Sequence, residues 1–308
     1  MTRFLVAGLI NIETTLQIEG FPLQYNPVNF PFFGVNSSVS GVGYNLAKAL
    51  TILGDELQFL SLIGDDTAGG LVRTALLQDH IPGEGVLTGM PLTAQSVILY
   101  DREGRRQIHT DLKDIQERTY PPDVFQPALV SCEVALVCNI NFSRPFLQQA
   151  VAAVKPVATD VHTISSLDDA YNRDYMAAAN VLFMSDERLP VAPEDWARQV
   201  IDRYNNEVVV IGMGSRGATL ALRDAGTVER IPTVHTRKVV NTIGAGDALF
   251  SAFCHSYFAT GDPQVAIRKA MVFSSYKIGA RSAADGFLDA ASLEALYRQI
   301  YGGQGLLS

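Results

Sequence analysis

Short apolar runs alternate with longer amphipathic ones along most of this chain. Strand-like runs fall at 4–10, 57–63, 134–138, 157–161, 181–184 and 208–211, and helical periodicity fills 44–53, 69–78, 145–154, 166–179 and 194–204. A strand, a helical crossover and a second strand make a βαβ unit, which pairs its strands in parallel and lays helices on the sheet. The pattern predicts an α/β fold, a three-layer sandwich with a mainly parallel central sheet flanked by helices. Ligands in such sheets bind at the carboxyl ends of the strands. Two regions break the alternation. Residues 13–36 are rich in Pro, Phe and polar side chains, and 96–109 reads as two strands around Asp101-Arg102-Glu103-Gly104.

With 308 residues, 47% of them apolar, the chain can bury a substantial core. No Pro/Gly/Ser-rich linker, low-complexity tract, internal repeat or shift in charge divides it, so one domain over 1–308 is expected. The formal charge of −8 argues against a general nucleic-acid or anionic-membrane surface, while leaving room for a local basic pocket. No apolar run approaches the ~18 residues of a membrane span. The 4–10 run is short for a signal-peptide core and lacks a small-residue cleavage site, so a cytoplasmic protein is expected. Cys132, Cys138 and Cys254 are odd in number and form no C-x-x-C pair; they read as small packed residues.

The chemistry concentrates in Asn241-Thr242-Ile243-Gly244-Ala245-Gly246-Asp247. Helical periodicity starts at once, with Ala248, Leu249, Ala252, Phe253 and Tyr257 on one face, and stops at Gly261 before Asp262-Pro263 opens another helix. Gly244, Ala245 and Gly246 thus fall where backbone N–H groups lack intrahelical partners and no bulky side chain blocks an anion. Asp247 lies in the same turn. The bland alternative is a helix start that favours Gly, Thr and Asp for capping and dipole reasons. Elsewhere, Gly212-Met213-Gly214-Ser215-Arg216-Gly217 satisfies G-x-G-x-x-G, but the strand-like 218–222 follows where a dinucleotide site needs a helix, so a turn between strands is expected.

The 241–247 segment resembles the C-terminal signature of the ribokinase-like (PfkB) family of sugar and nucleoside kinases, whose usual form begins with Asp where this chain has Asn241. Three further segments share the resemblance: Val6-Ala7-Gly8-Leu9-Ile10-Asn11-Ile12-Glu13, with Glu13 where the family normally has Asp; Ser40-Gly41-Val42-Gly43-Tyr44-Asn45, like its glycine-rich substrate loop; and Leu62-Ile63-Gly64-Asp65-Asp66 followed by Gly69. The likeness covers most of the chain. It implies an ATP-dependent kinase acting on a hydroxyl of a sugar or sugar-like small molecule, with Mg²⁺ and a monovalent cation as candidate cofactors. It also implies a small β lid built from about 13–36 and 96–109, which in several members forms a homodimer contact.

By this resemblance Asp247 is the catalytic base and Gly244, Ala245 and Gly246 form the anion hole. Asn11, Glu13, Gly41, Gly43 and Asn45 bind the acceptor, and Gly214, Gly217 and Thr242 lie beside the nucleotide. A helix terminus favours the ionised form of Asp247, which would make it a weak base. The family often carries Asn-x-x-Glu near its metal, where this chain reads Ser185-Asp186-Glu187-Arg188. Asp160 and His162 end a strand on the active face, and His162 reads first as structural. Two other readings stay open: a nucleoside or pseudouridine kinase, with Tyr44 able to stack on a base, and a non-catalytic ligand-binding relative, motivated by Asn241, Ser185 and Arg188.

Overall fold

Where the strands of a sheet are buried on both faces, successive side chains feed two different cores, and this protein divides its apolar residues that way. The computed structural model describes residues 1–302; the expectation of one domain over 1–308 runs past them at 303–308. In chain order the strands are β1 (Arg3–Ala7), β2 (Asn11–Gln17), β3 (Val35–Ser40), β4 (Glu56–Gly64), β5 (Val86–Met90), β6 (Gln95–Tyr100), β7 (Arg106–Asp111), β8 (Val134–Val137), β9 (Val157–Thr163), β10 (Val181–Ser185), β11 (Val208–Gly212), β12 (Ala218–Leu222) and β13 (Thr227–Ile231). The helices are α1 (Val42–Leu53), α2 (Thr67–Gln78), α3 (Pro122–Ser131), α4 (Arg144–Ala152), α5 (Arg173–Ala178), α6 (Pro193–Tyr204), α7 (Ala245–Thr260), α8 (Pro263–Lys277) and α9 (Ala290–Tyr301).

A nine-stranded sheet runs β13-β12-β11-β10-β9-β8-β1-β4-β5. It is parallel from β5 to β11, and β12 and β13 close one edge antiparallel. Phe4 and Val6 of β1, Val134 and Leu136 of β8, and Val208 and Val210 of β11 face a core shared with α1, α2, α7, α8 and α9. Their neighbours Leu5, Ala7, Ala135, Val137, Val209 and Ile211 face a second core closed by α3, α4, α5 and α6. Burying each large apolar side chain contributes about 1.5–3 kcal/mol, so the period of two fixes which face each strand residue takes. Among the described residues no helix is long and apolar enough to cross a membrane. All three cysteines are buried and unpaired, and burial pushes the thiols of Cys138 and Cys254 up, as expected of packed residues.

The lid is a separate four-stranded sheet, β3-β2-β6-β7. Its strands β6 and β7 flank the Asp101–Gly104 turn, where Asp101 accepts the backbone N–H groups of Glu103 and Arg105 at 3.0 and 2.9 Å. The expected boundaries move in two places. The apolar 4–10 run is not one strand: β1 stops at Ala7, and Asn11 and Glu13 belong to the lid strand β2, with Glu13 in register with Ser96 of β6. The expected helix at 166–179 shrinks to α5, because the Asp169 carboxylate accepts the N–H groups of Tyr171 and Asn172 at 3.1 and 2.8 Å and holds a turn there. The Gly64-Asp65-Asp66 segment joins the end of β4 to the residues leading into β6. Asp66 caps α2 through Gly69 and grips Thr93 just before β6, accepting its hydroxyl at 2.6 Å and its N–H at 3.0 Å.

Candidate active site

Between β1 and α1 two glycines let backbones touch. A Cβ on Gly43 would lie 2.6 Å from the carbonyl carbon of Gly8 and 2.7 Å from its Cα, so Gly43 is required for packing α1 against the end of β1. That close approach gives Gly43, expected to contact the acceptor, a packing role as well. Gly41 has φ 103°, and a Cβ there would come within 2.6 Å of Leu9 O. Tyr44 lies in the core, where its hydroxyl donates to the Asp79 carboxylate at the end of α2. The expectation that Tyr44 could stack on a base is therefore corrected: burial removes the ring from the cleft.

This packing brings together a chain of polar side chains. The Ser40 hydroxyl lies 3.2 Å from Glu13 Oε2 and 3.3 Å from Asn45 Oδ1. Asn45 Nδ2 donates to Asp247 Oδ2 at 2.6 Å, and Asn11 Nδ2 donates to Ser96 Oγ at 3.1 Å. Asn11, Glu13, Ser40 and Asn45 are all buried. Two acceptors in this cluster, Asn11 Oδ1 and Glu13 Oε1, have no hydrogen-bond partner among the described residues. A buried oxygen without a donor is costly by about 1–3 kcal/mol; hydroxyl groups of a bound acceptor are the kind of donor both lack.

Asp247 is the third residue of α7. The Ala245 N–H, expected in the anion hole, turns back to Thr242 O at 3.2 Å, while the N–H groups of Gly244, Gly246 and Asp247 have no protein partner among the described residues. Gly244 has φ 74°, and a Cβ would come 2.7 Å from Ala283 O. A Cβ on Gly246 would meet nothing within 4 Å. Asn241 ties the loop down from below: its Oδ1 accepts the Ile243 N–H at 3.0 Å and its Nδ2 donates to Arg281 O at 2.6 Å. An aspartate at 241 would lack that second bond.

Burial sets the charges. It raises the Glu13 carboxyl to about 7, opposed by the Ser40 hydrogen bond and helped by the neighbouring Asp247. Burial likewise lifts Asp247 above the ordinary carboxylate range, against the Asn45 hydrogen bond and the attraction of His162. The sequence expectation was the reverse, a carboxylate held ionised and weakly basic by the helix end; desolvation outweighs the dipole here and leaves a stronger base. Lys277, at the end of α8, is completely buried and donates to Ile243 O.

The donor side is more open. The turn after β11 gives Gly214 φ 57° with free space around it. Gly217 has φ 96° and is pressed against Ile231 and Thr233, which makes it a packing glycine at the base of that turn. Arg216 pairs with Asp186 just beyond β10. Arg106 reaches from the lid to the 241–247 loop, 136 residues away: Nη1 lies 3.3 Å from Thr242 O and 3.4 Å from its hydroxyl. Its Nη2 lies 3.6 Å from Glu187 Oε1. Arg188 is exposed. Asp160 is buried and accepts the N–H of His162, which adopts φ 58°, at 2.7 Å.

Among the described residues no group of three or more His, Cys, Asp or Glu side chains converges on a metal position. Mg²⁺ is commonly held by phosphates, water and one or two carboxylates, so a metal arriving with a nucleotide would compete with Arg216 and Arg106 for Asp186 and Glu187. Arg106 and Lys277 escaped the sequence reading. Each lies in a different element from the loop it touches, and the only local signals were a charged side chain on a lid strand and a lysine in an apolar helix.

The chain is 25% identical to an acarbose 7(IV)-phosphotransferase of Actinoplanes sp., covering 95% of this chain and 97% of the relative. It is 31% identical to a deoxyribokinase of Salmonella typhi, covering 89% and 91%. A microbiome-derived acarbose kinase of known structure superposes with a TM-score of 0.85 at 26% identity, over 96% of this chain and 98% of that one. The family model for pfkB family carbohydrate kinases matches residues 1–290. With that match spanning all but the last helix and the tail, the chain belongs to the pfkB family of carbohydrate kinases, phosphotransferases that use ATP.

Proposed function

We propose that this chain transfers the γ-phosphoryl group of ATP to a primary hydroxyl of a sugar or sugar-like acceptor, with Asp247 as base and the Gly244, Gly246 and Asp247 amides as the anion hole. The observation that carries this reading is the 2.6 Å Asn45–Asp247 hydrogen bond, which joins the buried acceptor cluster to the open amides of α7. An acceptor bonded to Asn11 Oδ1 and Glu13 Oε1 would set a hydroxyl against Asp247. That carboxylate orients the hydroxyl and takes its proton as the bond to phosphorus forms and the bond to the leaving ADP oxygen breaks. Arg106 and the amides absorb charge on the transferred group. Bound Mg²⁺ would supply neutralisation of the ATP phosphates, near Asp186 and Glu187.

A sugar acceptor is favoured over a nucleoside because the cluster offers polar acceptors and Tyr44 is buried elsewhere. The names of the relatives support sugar derivatives, from deoxyribose to the pseudo-oligosaccharide acarbose. The reading as a non-catalytic binder loses one of its three motives, since Asn241 has a structural role in the loop. ADP release from ATP and Mg²⁺ across pentoses, hexoses, keto-deoxy acids, acarbose-like oligosaccharides and nucleosides tests the proposal, with Asp247→Asn as control. Turnover with a sugar that vanishes in the control supports it; turnover with nucleosides alone overturns the acceptor assignment.

We also propose that the lid carries a homodimer contact. The outer strands β3 and β7 leave unpaired edges, and the segment between β2 and β3 exposes Tyr25, Phe30, Phe32 and Phe33. Light scattering at micromolar concentration tests this, and a monomer mass counts against it.

A further inference from the structure

A monovalent cation was among the cofactors the sequence brought into question, and the groups behind the anion loop answer it. In a trans peptide the C=O and N–H point in opposite directions. The Gly244 N–H, one of the open amides, therefore shares a peptide with the Ile243 carbonyl, which points away from the cleft and into the protein. A positive charge on that carbonyl oxygen polarises the peptide and strengthens the amide as a donor to phosphate. Any dissolved cation that assists the loop in this way has to bind such rear-facing carbonyls and replace its hydration shell with several oxygens at once.

Two of those oxygens are already taken by N–H donors of the chain. Ile243 O accepts Lys277 Nζ, and Arg281 O accepts Asn241 Nδ2 at 2.6 Å. Asn241 Oδ1, a third oxygen in the same place, is used by the Ile243 N–H at 3.0 Å. Lys277 is completely buried, and no carboxylate lies within ion-pair distance of it among the described residues. Its charge is balanced across the loop by Asp247 and Glu13, with Asp285 also attracting it and Arg106 repelling it. Burial pulls the ammonium down to about 8 against those attractions, so it stays largely cationic at neutral pH.

We infer that Lys277 is a built-in cation of the phosphate site: its ammonium, fixed on the Ile243 carbonyl with Asn241 closing the neighbouring oxygens, serves in place of a dissolved monovalent cation, and the enzyme works without K⁺ or Na⁺. The inference rests on the 241–247 loop being the phosphate site. Asn241 and Lys277 are then one device, an amide that fills the carbonyls and an ammonium that carries the charge. Lys277 touches neither substrate in this account; it is a positioning residue acting through the Ile243–Gly244 peptide.

The test is a salt series on the full-length protein with two readouts, turnover and thermal stabilisation by ADP and Mg²⁺, in KCl, NaCl or choline chloride at constant ionic strength. Both readouts should agree across the salts within about twofold in rate. Lys277→Met should lower kcat by about 10²-fold and acquire a response that wild type lacks, with ammonium or methylammonium recovering at least about tenfold of the rate. A purely structural lysine would lose stability without that rescue. If Lys277→Met does not fold, the wild-type series decides alone. Activation of wild type by K⁺ of more than about tenfold over choline, or ADP stabilisation that appears only in K⁺, overturns the inference. Absence of ADP stabilisation in every salt overturns the phosphate-site reading and this one together.

Discussion

The two halves of the cleft are built by opposite means. On the acceptor side, Asn11, Glu13, Ser40 and Asn45 are buried side chains joined to one another and to Asp247, with two oxygens left open. On the donor side, the open groups are backbone amides and a bare turn at Gly214, overlooked by Arg106 and Arg216. A buried side-chain cluster is directional and discriminates between acceptors, because a wrong one leaves a desolvated group unpaired. In the proposed reaction the amides, the helix end and the guanidinium groups would hold phosphate by charge and would not read a base. Specificity should therefore reside in the acceptor half and rate enhancement in the junction of the two.

The largest expected effect on the donor side comes from Gly246→Val. Beyond its chain neighbours and its own helix, no described residue lies within 4 Å of the new Cβ, so the fold should tolerate the change while the side chain covers the amides. kcat/KM for ATP should fall about 10²–10³-fold with the melting temperature unchanged; equal losses in both would mean that the loop is structural. Arg106→Ala comes next, at roughly 10–100-fold in kcat/KM for ATP, with acceptor KM little changed. A shift confined to acceptor KM would move Arg106 to the other half of the comparison.

Glu13→Gln sharpens the contrast through pH. The Glu13 carboxyl is raised from 4.5 to about 7 in the folded protein, so between those values the folded state holds a proton that the unfolded chain has released. Stability from this group is complete below about 4.5 and is lost as pH rises through about 7. Glu13→Gln should therefore be more stable than wild type at pH 8, by roughly 3–6 °C, with the gap closing near pH 5. Acceptor KM should rise at the same time. Thermal melts across pH check the first part and steady-state kinetics the second. The smallest effect is that of Tyr44→Phe, which should cost about 1 kcal/mol of stability and leave acceptor preference untouched; a changed nucleoside response would return the ring to the cleft.

The parallel core was legible because its strands are continuous apolar runs at crossover spacing, and the anion loop because glycines and an acid meet a helix start. The hidden parts have physical causes. β3 reads Val-Asn-Ser-Ser-Val-Ser and β5 Val-Leu-Thr-Gly-Met, sequences too polar or too interrupted to announce strands that their neighbours create by pairing. The packing role of Gly43 and Gly217 was hidden because a glycine that lets a backbone approach a ligand and one that lets backbones pack leave the same mark in sequence. Tyr44 went to Asp79 rather than to the cleft, and Arg106 met Thr242, through tertiary packing that no window of sequence contains. The sign of the Asp247 shift needed the burial that only the fold reveals.

The central claim is that Asp247, at the junction of the two halves, handles the acceptor proton and does not merely bind. Its most direct test is Asp247→Asn, with kcat measured beside thermal shifts by ADP with Mg²⁺ and by the acceptor found in the panel. The account predicts a loss of kcat of about 10²–10⁴-fold with both thermal shifts retained. A variant that keeps more than about a tenth of the wild-type kcat would contradict it.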